Sequence, residues 1–438
     1  MPIRKIKARQ IFDACGDPTV EVDLITDVGL LRSSVPSVIF PSNIQAKEIR
    51  DENEAVFRGR SVLKVIETIN NRIAPEILKS KLEVNQQREI DLLMQTLDGT
   101  PNKSKLGANA ILGVSIACCK ASAAKRGLPL YRYIASLCGN EKIYLPVPIF
   151  KIFSGGRAAG NNLAYEAFLI LPTGATTFAE AMKMGIDIYR EIEEQLAKIQ
   201  EAKLPLTVLN EGTFAPQFDD NKEALATIDT AIKNKGYEGK VKIAVDIGAS
   251  TFFKDGKYDL QYKSEDSNPE DYLEPNDLQE QYKQLFPDFP ALVSIEDPFG
   301  LDNWDDWTNL VTALPDIQIV ADELTATNAE RLDKAIEQQA ANSFVIRLSH
   351  IGSVTEAIDC VKQARDAGWG CIVSAGQGET EDTFIADFAV GTSCGQFKTG
   401  APCRSERVAK YNQILRIEEE LGKEAKYAGE KYRNPFSK

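Results

Sequence analysis

The chain has 438 residues, too many for one ordinary core and enough for two domains. Apolar residues make up 43% and charged residues 26% of it, the balance of a folded protein, and the formal charge of -13 argues against a nucleic-acid or anionic-lipid partner, whose affinity comes from basic patches. No run of about 18 apolar residues suggests a membrane span, and the first residues, Met1 to Lys7, lack the apolar stretch of a secretory signal. The 8 cysteines include no C-x-x-C pair. They are expected as reduced thiols in a cytoplasmic protein. His350 is the only histidine, which excludes a multi-histidine zinc site.

In chain order, the first predicted elements are strands. Thr19 to Ile25 alternates apolar and polar residues, Asp27-Val28-Gly29 makes a turn, and Leu30 to Val35 runs back. Helices follow, the clearest spanning Lys105 to Arg126 and stopped by Gly127 and Pro129. These residues read as an α+β domain over 1–140. The remainder, 141–438, has another rhythm, in which short apolar runs end in a polar residue. The runs are Ile243-Ala-Val-Asp246, Val293-Ser-Ile-Glu296, Ile319-Val-Ala-Asp322, Phe344-Val-Ile-Arg347, Cys371-Ile-Val-Ser374 and Gln396-Phe-Lys398. They recur roughly every 25 residues, with the first interval doubled, which is the length of a strand plus a helix and predicts a TIM-type α/β barrel. Amphipathic segments, Asn328 to Gln339 and Ser353 to Ala367, fill the intervals.

Polar residues at the C-terminal ends of barrel strands face one mouth. Asp246, Glu296 and Asp322 are therefore expected to converge, and three carboxylates suit a hard cation such as Mg²⁺ with water completing its shell. The plainer alternative is that each acid caps a helix or pairs with a nearby lysine. Three acids in step with the repeat favour the metal. Lys398 adds a base or a counter-ion to the same mouth.

At these residues the chain resembles enolase, and the resemblance runs from end to end. Ala8-Arg-Gln-Ile-Phe-Asp13, Gly107-Ala-Asn-Ala-Ile-Leu-Gly-Val-Ser115, Ser294-Ile-Glu-Asp-Pro-Phe299, Gly378-Glu-Thr-Glu-Asp-Thr-Phe-Ile-Ala-Asp387 and Lys398-Thr-Gly-Ala-Pro-Cys-Arg-Ser-Glu-Arg407 all look like signatures of that family. The resemblance implies an antiparallel-sheet N-terminal domain, a barrel whose second strand runs backwards, Mg²⁺ dependence and a homodimer. Carried over by position, Asp246, Glu296 and Asp322 match the first-metal ligands, Glu211 one of a glutamate pair, and Lys398 the lysine across from the base.

Other positions depart from the pattern. Arg347 stands where the family has its base lysine, and a guanidinium stays protonated. Ala167 replaces the second glutamate, with Glu166 beside it. Ala158 replaces a loop histidine. Ala375, Gly376 and Gln377 replace the His-Arg-Ser run that holds the substrate phosphate. In the closing loop, Phe40 stands where a serine would bind a second metal.

The expectation is therefore a pseudoenzyme that keeps one weak Mg²⁺ site and does not make phosphoenolpyruvate from 2-phosphoglycerate. Its role would be binding or structural, as a homodimer or as the partner of an active enolase. The alternatives are residual hydratase activity, or a changed metal-assisted lyase or isomerase built on Lys398. Phe40 is expected to fold inward and plug the vacated site, with an outward-facing knob at 38–41 as the alternative.

Overall fold

The computed structural model describes residues 2–199, 207–218 and 220–437. It opens with an antiparallel meander, β1 (Lys5–Phe12), β2 (Pro18–Thr26) and β3 (Gly29–Ser34). Thr26 pairs with Gly29, so the β2–β3 connection is the short turn expected at Asp27-Val28-Gly29, and Gly29 takes the positive φ that such a turn needs.

One face of this sheet carries Val20, Val22 and Leu24, all fully buried under the helix Ala108–Lys125. That helix is the one expected over 105–126. Its apolar residues do not form a stripe, because it is buried on nearly every side, between the sheet and neighbouring helices. Gly113 lets it lie close: a Cβ there would stand 2.9 Å from Val22 Cγ2.

Eight strands close the barrel: β4 (Val147–Ser154), β5 (Ala167–Leu171), β6 (Lys242–Asp246), then, after a small hairpin (β7 Phe253–Lys254, β8 Lys257–Tyr258), β9 (Leu292–Glu296), β10 (Gln318–Ala321), β11 (Ser343–Ile346), β12 (Gly370–Ser374) and β13 (Gly395–Gly400). The hairpin and the helix Pro275–Asp288 fill the doubled interval. The amphipathic segments are the helices Ala329–Glu337 and Val354–Asp366. Inside the barrel Val147, Leu169, Val320, Val345 and Ile372 pack together.

β5 is antiparallel to both β4 and β6, so the second barrel strand runs backwards, as the resemblance implied. The β4–β5 connection, residues 155–166, holds only the 3-10 turn Gly156–Ala158 and no crossover α-helix. The reversal matters for the site. The beginning of β5, rather than its end, lies at the mouth, where Ala167 sits directly opposite Asp246. Among the described residues no helix is long and apolar enough to cross a membrane, and all eight cysteines are free thiols.

The N-terminal helices are tied to the barrel by Asp91, which is fully buried and accepts hydrogen bonds from Thr355 N (3.1 Å) and Thr355 Oγ1 (2.6 Å) at the start of helix Val354–Asp366. Lys120 makes a second link, with both carboxylate oxygens of Asp382 (2.8 and 2.7 Å).

Candidate active site at the barrel mouth

The strand ends and the 37–42 loop of the N-terminal region enclose a cavity of about 250 Å³. Asp246 and Glu296 are the last residues of β6 and β9, Asp322 and Arg347 directly follow β10 and β11, and Lys398 lies within β13. Asp246, Asp322, Arg347 and Lys398 all line the cavity, together with Glu211 and Glu166. Alternation fixes this placement: a strand residue whose neighbours face the helices faces the barrel axis.

The acids are buried, and the chain supplies its own cations to them. Lys398 Nζ bonds Glu296 Oε1 and lies 3.8 Å from Asp246 Oδ2. Arg347 Nη1 bonds Asp322 Oδ1. Burial alone would raise the Asp322 carboxyl, but Arg347 and then Lys398 outweigh it and hold the group at about 2. Glu296 goes the other way: burial, then the like charge of Asp246, raise it well above the ordinary carboxylate range despite Lys398. Burial lowers the Lys398 ammonium and Glu296 and Asp246 more than reverse it, so the group is raised.

Three carboxylates bring ligand atoms within 4.8 Å of one another: Asp246, Glu296 and Asp297. Sequence reasoning singled out the first two, with Asp322 as the third. Asp322 pairs with Arg347 and stands beside Glu296 at the same mouth, and Asp297 joins Asp246 and Glu296 in the cluster. Asp297 follows Glu296 in the Ser294–Phe299 motif, so its signal was adjacency. It turns inward because its backbone has a positive φ of 47° and its carboxylate accepts from Asp322 N (3.0 Å) and Glu323 N (2.9 Å).

Two further residues were missed. Lys151 is buried on β4, and its ammonium bonds Glu211 Oε2 at 2.6 Å. Burial would raise Glu211, but Lys151 and Arg407 prevail and hold it at about 2. A single lysine inside the apolar strand Val147–Ser154 was the available signal. Arg157 reaches Glu323 Oε1 at 2.8 Å and stands 4.5 Å above the Phe40 ring.

That contact corrects the expected plug. Phe40 is 42% exposed at the rim, under Arg157, and the cavity stays open. Only Val38 turns in, at 7% exposure, with its N–H on Glu48 Oε2 (2.9 Å). A guanidinium on a ring face retains attraction at the surface, which an empty cavity wall would not return.

Ala167 is fully buried and Ala158 half-buried. The run Ala375, Gly376, Gln377 presents backbone rather than charge: Arg407 donates to the carbonyls of Gly376 (2.6 Å) and Gln377 (2.7 Å), and Gly376 N donates to Glu379 Oε1 (3.0 Å). Glu166, just before β5, has no side-chain hydrogen-bond partner among the described residues; burial, then Asp246, push its carboxyl up to about 7.

Two comparisons with protein families bear on this arrangement. The model described as the C-terminal TIM barrel domain of enolase matches residues 142–436, and that described as the N-terminal domain of enolase matches residues 3–134.

His350 also lines the cavity, with Nδ1 buried and, among the described residues, unpartnered. Burial, then Arg347, push its imidazole down to about 3. A folded value below the ordinary 6.5 means the unfolded chain binds the proton more tightly. The contribution to stability is therefore complete above about pH 6.5 and is lost as pH falls toward 3. As the only histidine, it gives one imidazole signal in proton NMR. That signal is expected to stay flat from pH 8 to about pH 5, where a solvated histidine would titrate; a midpoint near 6.5 would refute the burial.

Proposed function

The chain belongs to the enolase family, and we propose that within it this protein is a binding or structural member that does not dehydrate 2-phosphoglycerate. The observation that carries the reading is Arg347. Enolase-superfamily sites use a Lys or His base, with one or two Mg²⁺ ions on the ene-diolate; that pattern is general knowledge of the superfamily. By resemblance the base position here is Arg347, a guanidinium bound to Asp322 and raised further by it against the effect of burial. It cannot take a proton.

The neighbouring groups support the same conclusion. Glu211, matched to one of the paired glutamates, is held ionised by Lys151 and has no proton to give a leaving hydroxyl. Lys398, the base of the alternative lyase reading, is held charged by Glu296 and Asp246. Glu166, whose carboxyl is pushed up to about 7, keeps open a changed acid–base reaction at this mouth. Loss of a general base costs about 10²–10⁴ in rate, and losses within one unit do not add. Phosphoenolpyruvate formation at saturating Mg²⁺ is therefore expected to lie at least about a hundredfold below an ordinary enolase. Arg347→Lys alone is expected not to restore it. Turnover within that factor would sink the reading.

The family uses Mg²⁺, and the donor set fits one ion: Asp246, Glu296 and Asp297 are hard oxygens in one buried cluster, with Asp322, matched to the family's third ligand, beside Glu296. When bound, the ion would supply positive charge against an enolate. The same oxygens are held in part by Lys398, so binding is expected to be weak, and Phe40 offers no oxygen to a second ion. Millimolar Mg²⁺ against EDTA should raise the melting temperature slightly, and Asp246→Ala should abolish the rise. Two ions bound stoichiometrically at micromolar concentration would show that the site has been misread.

The proposed assembly is a homodimer, with a mixed dimer with an active enolase as the other form, in the reducing conditions of the cytoplasm that eight free thiols suit. Arg9, at the position of the family's subunit contact, bonds Glu21 and Asp23 of its own chain, and Glu418 caps the helix Phe178–Ile199 at Phe178 N (2.6 Å). A partner would therefore meet a preset charge network. Sedimentation at micromolar protein should give twice the 48.3 kDa chain mass; a persistent monomer would refute the dimer and the mixed dimer together.

A further inference from the structure

A lysine taken out of water normally takes an acid with it, because an ammonium is costly to desolvate alone. Lys103, Lys151, Lys398 and Lys410, all buried, meet Glu356, Glu211, Glu296 and Glu379 in this way. Lys263 is different. It is half-buried in the turn that follows β8, and among the described residues no acid stands within ion-pair distance of it. Its Nζ donates instead to two peptide oxygens, Ala159 O (3.1 Å) and Asn161 O (2.9 Å), on the loop between β4 and β5. Burial pushes the amine down to about 8, against the more distant pull of Glu166.

The contacts suit an uncharged amine. A neutral Nζ has two N–H groups and one lone pair. The two carbonyls take the hydrogens, and the lone pair is left directed away from them. The next residues, Ser264, Glu265 and Asp266, are exposed, so the turn is open to a reagent from solvent. An adduct that removes the charge relieves the desolvated ammonium, whereas one that carries an acid would set a second anion near Glu166.

We propose that Lys263 is a modification site, acylated on Nζ by a small acyl thioester. The amine lone pair attacks the thioester carbonyl carbon. A C–N bond forms, the C–S bond breaks, and the proton lost by nitrogen leaves on the sulfur as a thiol. The product is a neutral amide with a single N–H, so it serves one of the two carbonyls and releases the other. The loop so loosened carries Arg157, which reaches Glu323 at 2.8 Å and stands over the Phe40 ring. Acylation therefore slackens one rim of the cavity, and it needs nothing from Arg347 or from the metal-binding acids.

The test is competitive acylation of the full chain with S-acetyl-N-acetylcysteamine, an uncharged acetyl thioester, read residue by residue by mass spectrometry. At about pH 7.5 Lys263 is expected to be acetylated about tenfold faster than Lys254, an exposed lysine on the adjacent hairpin, its larger neutral fraction outweighing the lower nucleophilicity of a weaker base. Its rate should level off above about 8, where an ordinary lysine is still gaining reactivity toward about 10.4. Labelling no faster than that of Lys254 would overturn the proposal, as would a rate at Lys263 that still climbs at about pH 10. Amide hydrogen exchange over residues 156–163, where Gly156 N bonds Leu163 O (3.0 Å), reads the consequence. The acetylated chain and the neutral variant Lys263→Gln are expected to exchange several-fold faster there, and Lys263→Arg, which keeps a cation with several donors, is not. Unchanged exchange in both the acetylated chain and Lys263→Gln would overturn the slackening of the rim.

Discussion

Like charges brought together in a low-dielectric interior must be neutralised, and that constraint organises the barrel mouth. The topology delivers Asp246, Glu296, Asp297 and Asp322 to one place, since each ends or follows a strand of the same closed barrel. Unscreened, such a group would shift its protonation or open the fold. A metal is one remedy. Here the chain carries another: Lys398 lies on Glu296 and beside Asp246, and Arg347 lies on Asp322. The planar guanidinium suits a carboxylate and remains charged under any condition in which the protein is folded. Arg347 thus supplies a permanent counter-ion to Asp322.

Other charged groups at the mouth are similarly matched to their surroundings. Lys151 meets Glu211, and Arg157 meets both Glu323 and the Phe40 ring. The mouth has its cations paired, its loop anchored through Ser37 N to Gly378 O (2.7 Å), and the run Ala375, Gly376, Gln377 held by Arg407 through two carbonyls.

The βα rhythm was readable because each barrel strand is a short apolar run that ends in a polar residue, and residues so placed must share the mouth. Asp246, Glu296, Asp322, Arg347 and Lys398 could be assigned to it by that argument. β4 and β5 were not found by spacing, since the reversed strand breaks the repeat; its direction came from resemblance. Lys151 was missed because a lysine in an apolar strand carries no motif. Asp297 was passed over because alternation would turn it away from Glu296, and only its positive φ turns it back.

The sequence by itself determined the barrel, the gathering of acids at one mouth and the placing of an arginine, Arg347, beside them, because periodicity and residue chemistry are local properties. Tertiary structure alone decided which cation answers which acid, and that Phe40 lies under Arg157 at the rim with the cavity open. Those outcomes depend on distances of a few ångströms between residues from distant parts of the chain. Desolvation and pairing compete at that scale, and no local pattern records the result.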